Sequence, residues 1–390
     1  MVEWKKIGDI MQIVRGASPR PIKNYITSDN NGVNWIKIGD VAPGAKYITR
    51  CNEKITKEGA EKSRYLHAGD FILSNSMSFG RPYILKIDGC IHDGWIAMSD
   101  YEKSVSSGYL YEILNSKVVQ DYWKMKANNG GAMTNLNSDI VRDTIIPIPS
   151  LSEQNRIVGI LGTFTASIDN LKEQIAQRRK QYEYYRDQLL DLEGKEGVEM
   201  KLLSSISTIK VGPFGSLIHK KDYVSGGIPL VNPVQMNNGY IVRDDSFSVS
   251  EETAKLLESY TLYTGDVVFA RRGEIGRCAI VTENESNFIC GTGSLIVRFK
   301  DIINSKFMLF MFNTPYCKTY LLKSAVGGSM LNINCDIVGK MQIPVPPLSE
   351  QQRIVSILDT FEASIQNLEA QLSQREKQYD YYRNKLLTFE

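Results

Sequence analysis

A short run in the second half of the chain has side chains suited to holding nucleic acid. The run Ala270–Arg277 places Arg271, Arg272 and Arg277 beside two glycines, between two apolar segments that are typical of strands. A planar guanidinium can contact both acceptors of a guanine or clamp a phosphate, and glycine allows the backbone to approach closely. The run therefore predicts a DNA-reading hairpin, although an ordinary surface hairpin stays a second interpretation.

The first half of the chain carries a matching run with different chemistry. The run Ser74–Arg81 keeps the closing Gly-Arg pair, but serine and asparagine replace two arginines. Asparagine suits adenine, whereas serine accepts several bases. The candidate base-reading residues here are Ser74, Asn75 and Arg81. Further basic candidates, each as readily explained by solvated surface, are Arg15, Arg20 and Lys23 in this half and Lys210, Lys220 and Lys221 in the other.

No pattern of catalytic residues accompanies these runs. The sequence has no phosphate-binding loop, no Asp/Asn-Pro-Pro-Tyr/Phe motif of amino-methyltransferases and no Gly-x-Gly-x-x-Gly after a strand. Its three histidines and six dispersed cysteines show neither a catalytic triad nor the spacing of a zinc site. We therefore predict a non-catalytic binding protein that holds no metal or cofactor of its own.

Composition and charge fit a globular protein rather than a strongly basic one. Of the 390 residues, 42% are hydrophobic and 23% charged, and the net charge is +2. At roughly 100–200 residues per domain, two or three domains are expected. A DNA-binding surface must then come from local clustering of arginine and lysine. The chain has no signal-like start and no apolar stretch of about 18 residues, so we expect a soluble, cytoplasmic protein.

An internal repeat organises the elements that must position these runs. Residues 151–193 and 348–390 align without gaps, and 28 of the 43 positions are identical. The segments before them share only a frame, which includes a Gly-Asp-strand start, the Gly-Arg pair, a Gly-Gly-x-Met-x-Asn stretch and a proline-rich end. Two modules with a common scaffold and different details are what two readers of different targets would show. Duplication followed by drift is the alternative, but it should have eroded both parts equally.

The repeated segments have the pattern of a coiled coil. Apolar residues recur with alternating spacings of four and three from Ile157 to Leu192 and from Ile354 to Phe389, which is a heptad seam. Arg178 and Arg375 fill one seam position each, either covering the seam with their stems or meeting a partner's carboxylates. Ser349 and Gln352 have the spacing of a capping box at the start of the second helix.

Helix length constrains the arrangement of the modules. A helix of about 40 residues is about 60 Å long, and the six-residue linker Glu193–Val198 cannot return over that distance. We therefore predict an α/β (α+β) protein in which two mixed α/β domains are separated by an antiparallel two-helix coiled coil with pseudo-twofold symmetry, and in which the chain ends lie close together. The expected segments are 1–150 (first domain), 151–198 (helix and linker), 199–347 (second domain) and 348–390 (second helix).

Tyrosines crowd the C-terminal part of each repeated helix. They surround so much of the helix that two helices cannot bury them all, which favours a docking surface for other proteins. Packing against the domains is the alternative. Together with the two seam arginines, the candidate partner-binding residues are Arg178, Tyr182, Tyr184, Tyr185, Arg375, Tyr379, Tyr381 and Tyr382.

Taken together, the chain resembles the specificity subunit of type I restriction–modification enzymes over its full length. The resemblance is carried by the duplicated layout, the Leu-Ser-Glu-Gln entries at 151–154 and 348–351, the Gly-Asp-strand-Arg-Gly-x-Ile-Gly-Arg run at 265–277 and the Gly-Gly-x-Met-x-Asn stretches. The first domain departs from the hairpin pattern between Asn75 and Phe79, so the resemblance does not specify its base contacts.

The resemblance implies a function and a set of partners. Each domain would recognise one half of a split, asymmetric site in double-stranded DNA, and the coiled coil would set the gap between the halves. The coiled coil would also dock two methyltransferase subunits that methylate adenine at N6, and up to two ATP-dependent nuclease subunits would join them. S-adenosylmethionine, ATP and magnesium are expected on those partner subunits. The specificity subunit of a type IIB-like system and a coiled-coil adaptor without DNA stay as alternatives.

Overall fold

The computed structural model describes residues 2–42, 44–75, 79–127, 135–215, 217–327 and 331–389, and the side chain of Lys220 is outside this description. The chain divides into two compact units. Unit 1 comprises residues 1–172 and 370–390, and unit 2 comprises residues 173–369. Each unit therefore contains one α/β domain, called head 1 or head 2, and a part of both long helices.

Head 1 is a mixed α/β domain. Two five-stranded sheets have the orders β2-β11-β8-β9-β5 and β3-β6-β4-β10-β7, and β1 pairs with β12. The strands are β1 (Glu3–Lys6), β2 (Gln12–Arg15), β3 (Ile26–Thr27), β4 (Val33–Ile36), β5 (Tyr47–Ile48), β6 (Glu53–Ile55), β7 (Arg64–Leu66), β8 (Phe71–Ser74), β9 (Pro82–Leu85), β10 (Gly89–Ile91), β11 (Trp95–Ser99) and β12 (Ile145–Ile148). The helices are α1 (Lys57–Glu61), α2 (Ser107–Leu114), α3 (Lys117–Ala127) and α4 (Ser138–Arg142), and the first long helix follows as α5 (Leu151–Leu190).

Head 2 repeats this plan with four strands instead of five in each of its two main sheets, and with an additional two-stranded pair, β17-β18. The central sheet has the order β14-β23-β20-β21, the second sheet has the order β15-β19-β16-β22, and β13 pairs with β24. The strands are β13 (Glu199–Leu202), β14 (Ser207–Val211), β15 (Tyr223–Val224), β16 (Ile228–Val231), β17 (Met236–Asn237), β18 (Tyr240–Ile241), β19 (Ser248–Val249), β20 (Val267–Ala270), β21 (Cys278–Ile280), β22 (Ile289–Cys290), β23 (Ser294–Phe299) and β24 (Gln342–Val345). The helices are α6 (Leu203–Ile206), α7 (Glu251–Leu256), α8 (Ser305–Phe312), α9 (Pro315–Ser324) and α10 (Cys335–Gly339), and the second long helix follows as α11 (Leu348–Leu387).

The two long helices pair antiparallel inside each unit, as the sequence predicts. In unit 1, Phe164 of α5 stacks on Tyr382 of α11, and Lys172 lies 3.5 Å from Glu376. The partner number on α11 falls as the number on α5 rises, which defines the direction. Unit 2 shows the same order, because Tyr185 stacks on Phe361 and Arg179 contacts Glu369 at 2.5 Å. The predicted seam is buried at Ile168, Leu171 and Ile175.

The ends of the long helices belong to the head cores. Ile157 and Leu161 of α5 and Leu387 of α11 are buried with the core of head 1. The core of head 2 takes in residues from the opposite helix ends, which are Leu190, Leu192, Ile354 and Leu358. Apolar burial at roughly 25 cal/mol per Å² thus attaches each head to both helices of its own unit.

The late helical part of each head consists of two helices, because Thr314 caps a new helix at Pro315 and the chain turns at Asn115 in head 1. The capping box at Ser349 is wrong, because α11 already begins at Leu348 and the N–H of Gln351 donates to the Pro347 carbonyl. Met1 and Glu390 lie outside the described residues, so the proximity of the chain ends stays a prediction. The segment boundaries at 150, 198 and 347 likewise stay predictions. Among the described helices, none is both long enough and apolar enough to cross a membrane.

Candidate nucleic-acid and partner interfaces

One edge of the central sheet of head 2 gathers three loops. Strands β14, β23 and β20 are neighbours and alternate in direction, so the end of β14, the start of β23 and the end of β20 meet there. The N–H groups of Gly212 and Arg271 donate to the carbonyls of Ser294 and Gly293, each at 2.9 Å. A Cβ on Gly212 would lie 2.3 Å from the Gly291 carbonyl oxygen. Glycine is therefore required where these loops approach, and we call this place the head 2 loop edge.

The three predicted arginines of head 2 have different environments. Arg271 is half-buried and donates from Nε to Asn332 Oδ1 at 3.1 Å, and burial together with the neighbouring Arg272 lowers its pKa. Arg272 is exposed. Arg277 forms an ion pair with Glu274, with Nε 2.7 Å from Oε2. Arg271 and Arg277 are thus held in fixed orientations, whereas Arg272 faces solvent at the loop edge.

The predicted lysines of head 2 divide in the same way. Lys210 donates from Nζ to the Ser259 carbonyl at 2.5 Å, and the same nitrogen lies 4.5 Å from the Tyr260 ring centre. Its charge is already engaged within the head. Lys221 is exposed in a short 3-10 turn. The Lys220 side chain lies outside the described residues, so its role stays a prediction.

Head 1 places Asn75 where head 2 places Arg271. The N–H of Asn75 donates to the Gly94 carbonyl at 3.2 Å, and its own carbonyl accepts from the N–H of Leu136 at 2.9 Å. Arg271 makes the corresponding bonds to Gly293 and from Ile333. The two residues therefore occupy one backbone position of the repeat and differ only in the side chain that they present. Residues 76–78, inside the head 1 run, lie outside the described residues.

Four side chains of head 1 converge on Asp93, which sequence reasoning missed. Arg15 Nε and Asn75 Nδ2 donate to its carbonyl oxygen at 3.2 and 3.1 Å. Arg20 Nη2 and Ser18 Oγ donate to its two carboxylate oxygens at 3.3 and 3.0 Å. Burial opposes ionisation here, but hydrogen bonds from Ser18, the backbone and Arg20, together with the electrostatic effect of His92, lower the pKa of Asp93. The end of β2, the start of β11 and the end of β8 meet here, and we call this place the head 1 loop edge. Asp93 thus ties Arg15, Arg20 and Asn75 together at this edge. Sequence gave no sign of this role, since the turn that holds Asp93 has no matching carboxylate in head 2.

The structure also gives the exposure of four predicted DNA-binding residues of head 1, namely Ser74, Arg15, Arg20 and Lys23. Ser74 is fully buried, and its N–H donates to the Arg81 carbonyl inside the hairpin. Its assignment as a base-reading residue is therefore wrong, because it exposes no surface to a base. Lys23 is exposed in a 3-10 turn, and Arg15 and Arg20 are also exposed. These three positions remain available for phosphate contact.

Arg81 and Arg277 face the long helices of their own units. Arg81 lines a pocket of about 410 Å³ with Tyr379 and Arg383 of α11. Arg277 lines a groove of about 880 Å³ with Tyr182 and Arg186 of α5. The two sets match through the repeat, since 182 and 186 plus 197 give 379 and 383. Arg81 and Arg277 thus lie beside the long helices, whereas Arg272 is exposed at the head 2 loop edge.

The predicted partner-binding residues fall into three environments. The seam arginines Arg178 and Arg375 are half-buried, with guanidinium carbons 5.9 and 5.7 Å from the ring centres of Phe361 and Phe164 on the opposite helix. The hydroxyls of Tyr182 and Tyr379 donate to Glu362 and Glu112, and both rings pack on the core of the head in their unit. The remaining tyrosines are 40–62% exposed and form an edge-to-face pair on each helix, namely Tyr184 with Tyr185 and Tyr381 with Tyr382. Among the eight predicted partner-binding residues, only these four present an exposed aromatic ring.

The described residues offer no metal centre. Among them, no group of three or more His, Cys, Asp or Glu side chains is arranged to hold an ion. The chemistry at both loop edges is that of hydrogen-bond donors, guanidinium groups and one carboxylate. Such groups bind phosphates and read base edges.

The fold is a duplicated frame that carries two dissimilar loop edges. A family model described as "Type I restriction modification DNA specificity domain" matches residues 1–178 and 195–376. The chain therefore belongs to the type I restriction–modification DNA specificity family, the proteins that direct DNA recognition in these systems.

Relatives and solved structures agree with this assignment. The chain is 26% identical to a type I restriction enzyme specificity subunit of Haemophilus influenzae, with 100% of this chain and 96% of that protein covered. It is 31% identical to the EcoR124I/EcoR124II specificity subunit of Escherichia coli over 63% of each chain. A solved chain from a study of complex assembly in the type I R-M system superposes with a TM-score of 0.69 at 17% identity, covering 99% of this chain and 97% of that one. The HsdS subunit of Thermoanaerobacter tengcongensis gives 0.52 at 18% identity, covering 99% and 95%. These structural likenesses show the shared fold.

Proposed function

We propose that this chain recognises a bipartite, asymmetric target in double-stranded DNA and carries no catalytic site of its own. Head 1 and head 2 each read one half of the target through their loop edges. The observation that carries the proposal is the equivalence of Asn75 and Arg271, which share one backbone position and offer different readout chemistry. Asparagine pairs with adenine and arginine with guanine in the major groove, so the two heads prefer different bases at that position.

The long helices complete the proposal. They set the gap between the half-sites and dock two methyltransferase subunits through the exposed tyrosine pairs. Those subunits bind S-adenosylmethionine and methylate adenine at N6, and up to two nuclease subunits with ATP and magnesium join for cleavage. The family assignment and the similarity to type I restriction enzyme specificity subunits support this division of labour.

The proposal is tested by mapping methylated adenines in cells that express this chain with its methyltransferase partner. We expect one split motif for the natural chain. Arg271→Ala and Arg272→Ala should relax the motif at one half-site only, and Asn75→Ala should relax the other half-site only, each by about 1–3 kcal/mol of discrimination per lost base contact. Arg243→Ala, an exposed arginine of head 2 paired with Asp245, is the matched control and should leave both halves unchanged.

Two results would count against the proposal. A continuous methylated motif with no gap would contradict the proposal that the target consists of two separated half-sites. An equal loss of both half-sites in Arg271→Ala and Arg272→Ala would show that these arginines hold structure or phosphate rather than bases.

A further inference from the structure

Each long helix starts with a completely buried glutamine whose hydrogen-bonding groups are all used. Gln154, in the first turn of α5, accepts the N–H of Ser106 at 2.8 Å through Oε1. Its Nε2 donates to the carbonyls of Ser104 at 3.1 Å and Pro149 at 3.0 Å. One side chain therefore connects the helix start to the strand exit and to a separate loop of head 1.

The same three bonds recur in head 2. Gln351 of α11 accepts the N–H of Asn304 at 2.8 Å and donates to the carbonyls of Ile302 at 3.1 Å and Pro346 at 2.9 Å. The side chain is also completely buried. The network thus survives in two heads whose loop edges carry different side chains.

The loop that each glutamine holds is a rigid part of its head. Ser106 and Asn304 are the N-cap residues of α2 and α8. The α8 side chains from Phe307 to Phe312 are buried in the core of head 2. The glutamine amide therefore fixes the direction of the long helix relative to α2 or α8. These short helices cannot move without opening the core of the head.

A second contact lies on the same face of each long helix. Ile157 and Leu161 follow Gln154 by three and seven residues and enter the core of head 1. Ile354 and Leu358 follow Gln351 at the same spacing in head 2. Apolar packing is non-directional, whereas three hydrogen bonds from one planar amide fix an orientation. The glutamine is thus the directional component of the joint between helix and head.

We propose that Gln154 and Gln351 are positioning residues that set the angle between each head and its helix, and thereby the exact gap at which the two half-sites are accepted. This inference rests on the proposed bipartite function. The amides contact no DNA and read no base. Their loss loosens the joint, so that half-sites with a gap one base pair shorter or longer are accepted while the bases recognised stay the same.

The experiment uses the chain assembled with its methyltransferase partner. The half-sites are first mapped for the natural chain, and plasmids are then built that carry them with gaps from two base pairs shorter to two base pairs longer. Adenine methylation is measured on each plasmid. Gln154→Leu and Gln351→Leu should lower the preference for the natural gap by up to on the order of a hundredfold, since a displacement of about 1 Å can cost this much in positioned sites.

Three matched variants separate this role from plain destabilisation. Asn155→Leu and Gln352→Leu change the exposed neighbours of the two glutamines and should keep the natural gap preference. Val268 is buried in a second apolar cluster of head 2, which does not include the long helices. Val268→Ala creates a cavity in this cluster and should lower thermal stability without changing the preferred gap. If Gln351→Leu fails to assemble, Gln351→Glu decides, because it keeps an acceptor for Asn304 and loses the donors.

The outcomes are distinct. A broadened gap with unchanged half-site bases supports the inference. An unchanged gap preference in the glutamine variants, with a split motif in the natural chain, overturns it and leaves the proposed function intact. A natural chain that shows no fixed gap overturns the proposed function itself.

Discussion

The Tyr379 hydroxyl donates to the Glu112 carboxylate at 2.7 Å, across the contact between α11 and α2 in unit 1. Glu112 is 5% exposed, and burial raises the pKa of its carboxyl more than Tyr379, Lys46 and Arg383 lower it. The corresponding tyrosine, Tyr182, donates to Glu362 of α11 at 3.3 Å instead, because head 2 has Phe310 at the position of Glu112. A tyrosine hydroxyl of the repeated helix thus donates to a buried carboxylate in unit 1 and to a half-buried carboxylate in unit 2.

The first prediction concerns pH. A carboxyl whose pKa is higher in the folded than in the unfolded chain binds more protons when folded, so stability falls as pH rises from about 4.5 through the folded pKa. Glu112→Gln keeps an acceptor for Tyr379 and cannot ionise. The thermal midpoint of the variant, measured relative to that of the natural chain, should therefore rise as the pH is raised from 4.5 to 7.5. Exposed Glu61→Gln is the control, and parallel pH curves for Glu112→Gln and the natural chain would contradict the assignment.

The second prediction concerns the helix seam. Phe164 and Tyr382 stack with ring centres 5.3 Å apart and planes 28° apart, and Arg375 lies over Phe164. A double-mutant cycle with Phe164→Ala and Tyr382→Ala should give a coupling free energy of about 0.5–1.5 kcal/mol. The cycle of Phe164 with exposed Tyr381 should give almost none. Equal coupling in both cycles would mean that the helix pair responds as a whole rather than through this stack.

The sequence predicted the frame of each head better than the direction of its side chains. The repeat placed Arg81 opposite Arg277, and the structure has them at the same backbone position next to matching tyrosines and arginines of the helices. Heptad spacing likewise predicted the buried seam. Periodicity and repetition are properties of the backbone frame, so they carry over to the fold.

Side-chain roles depended on tertiary contacts that the sequence does not display. Ser74 is buried because it ends a central strand, and Lys210 is engaged by a carbonyl 49 residues away. Asp93 accepts hydrogen bonds from two segments that are distant in sequence, residues 15–20 and Asn75. Gln351 is identical in both copies of the repeat, but the capping pattern indicates its exposed neighbour Gln352 instead.

The third prediction tests the loop edge of head 2. Gly212→Ala would place a Cβ 2.3 Å from the Gly291 carbonyl oxygen, which is a backbone atom that cannot swing aside. The variant should lose about 1–3 kcal/mol of stability in head 2 and weaken recognition of one half-site. Gly215→Ala is the control, because a Cβ there meets nothing within 4 Å. Denaturant unfolding and adenine mapping check both effects, and equal behaviour of the two variants would show that the approach of the loops is not tight.

The last prediction tests the helices as the element that sets the gap. Duplicating Leu171–Gln177 in α5 and the equivalent Leu368–Gln374 in α11 adds one heptad to each helix and preserves the alternation of four and three along the seam. Seven residues lengthen a helix by about 10 Å, close to the rise of three base pairs. Methylome mapping should then show the same two half-sites with a longer gap. Adding the heptad to α5 alone leaves one helix unmatched and should abolish methylation. An unchanged gap in the double insertion would contradict the prediction that the helices set the gap, because something other than the helices would then space the two half-sites.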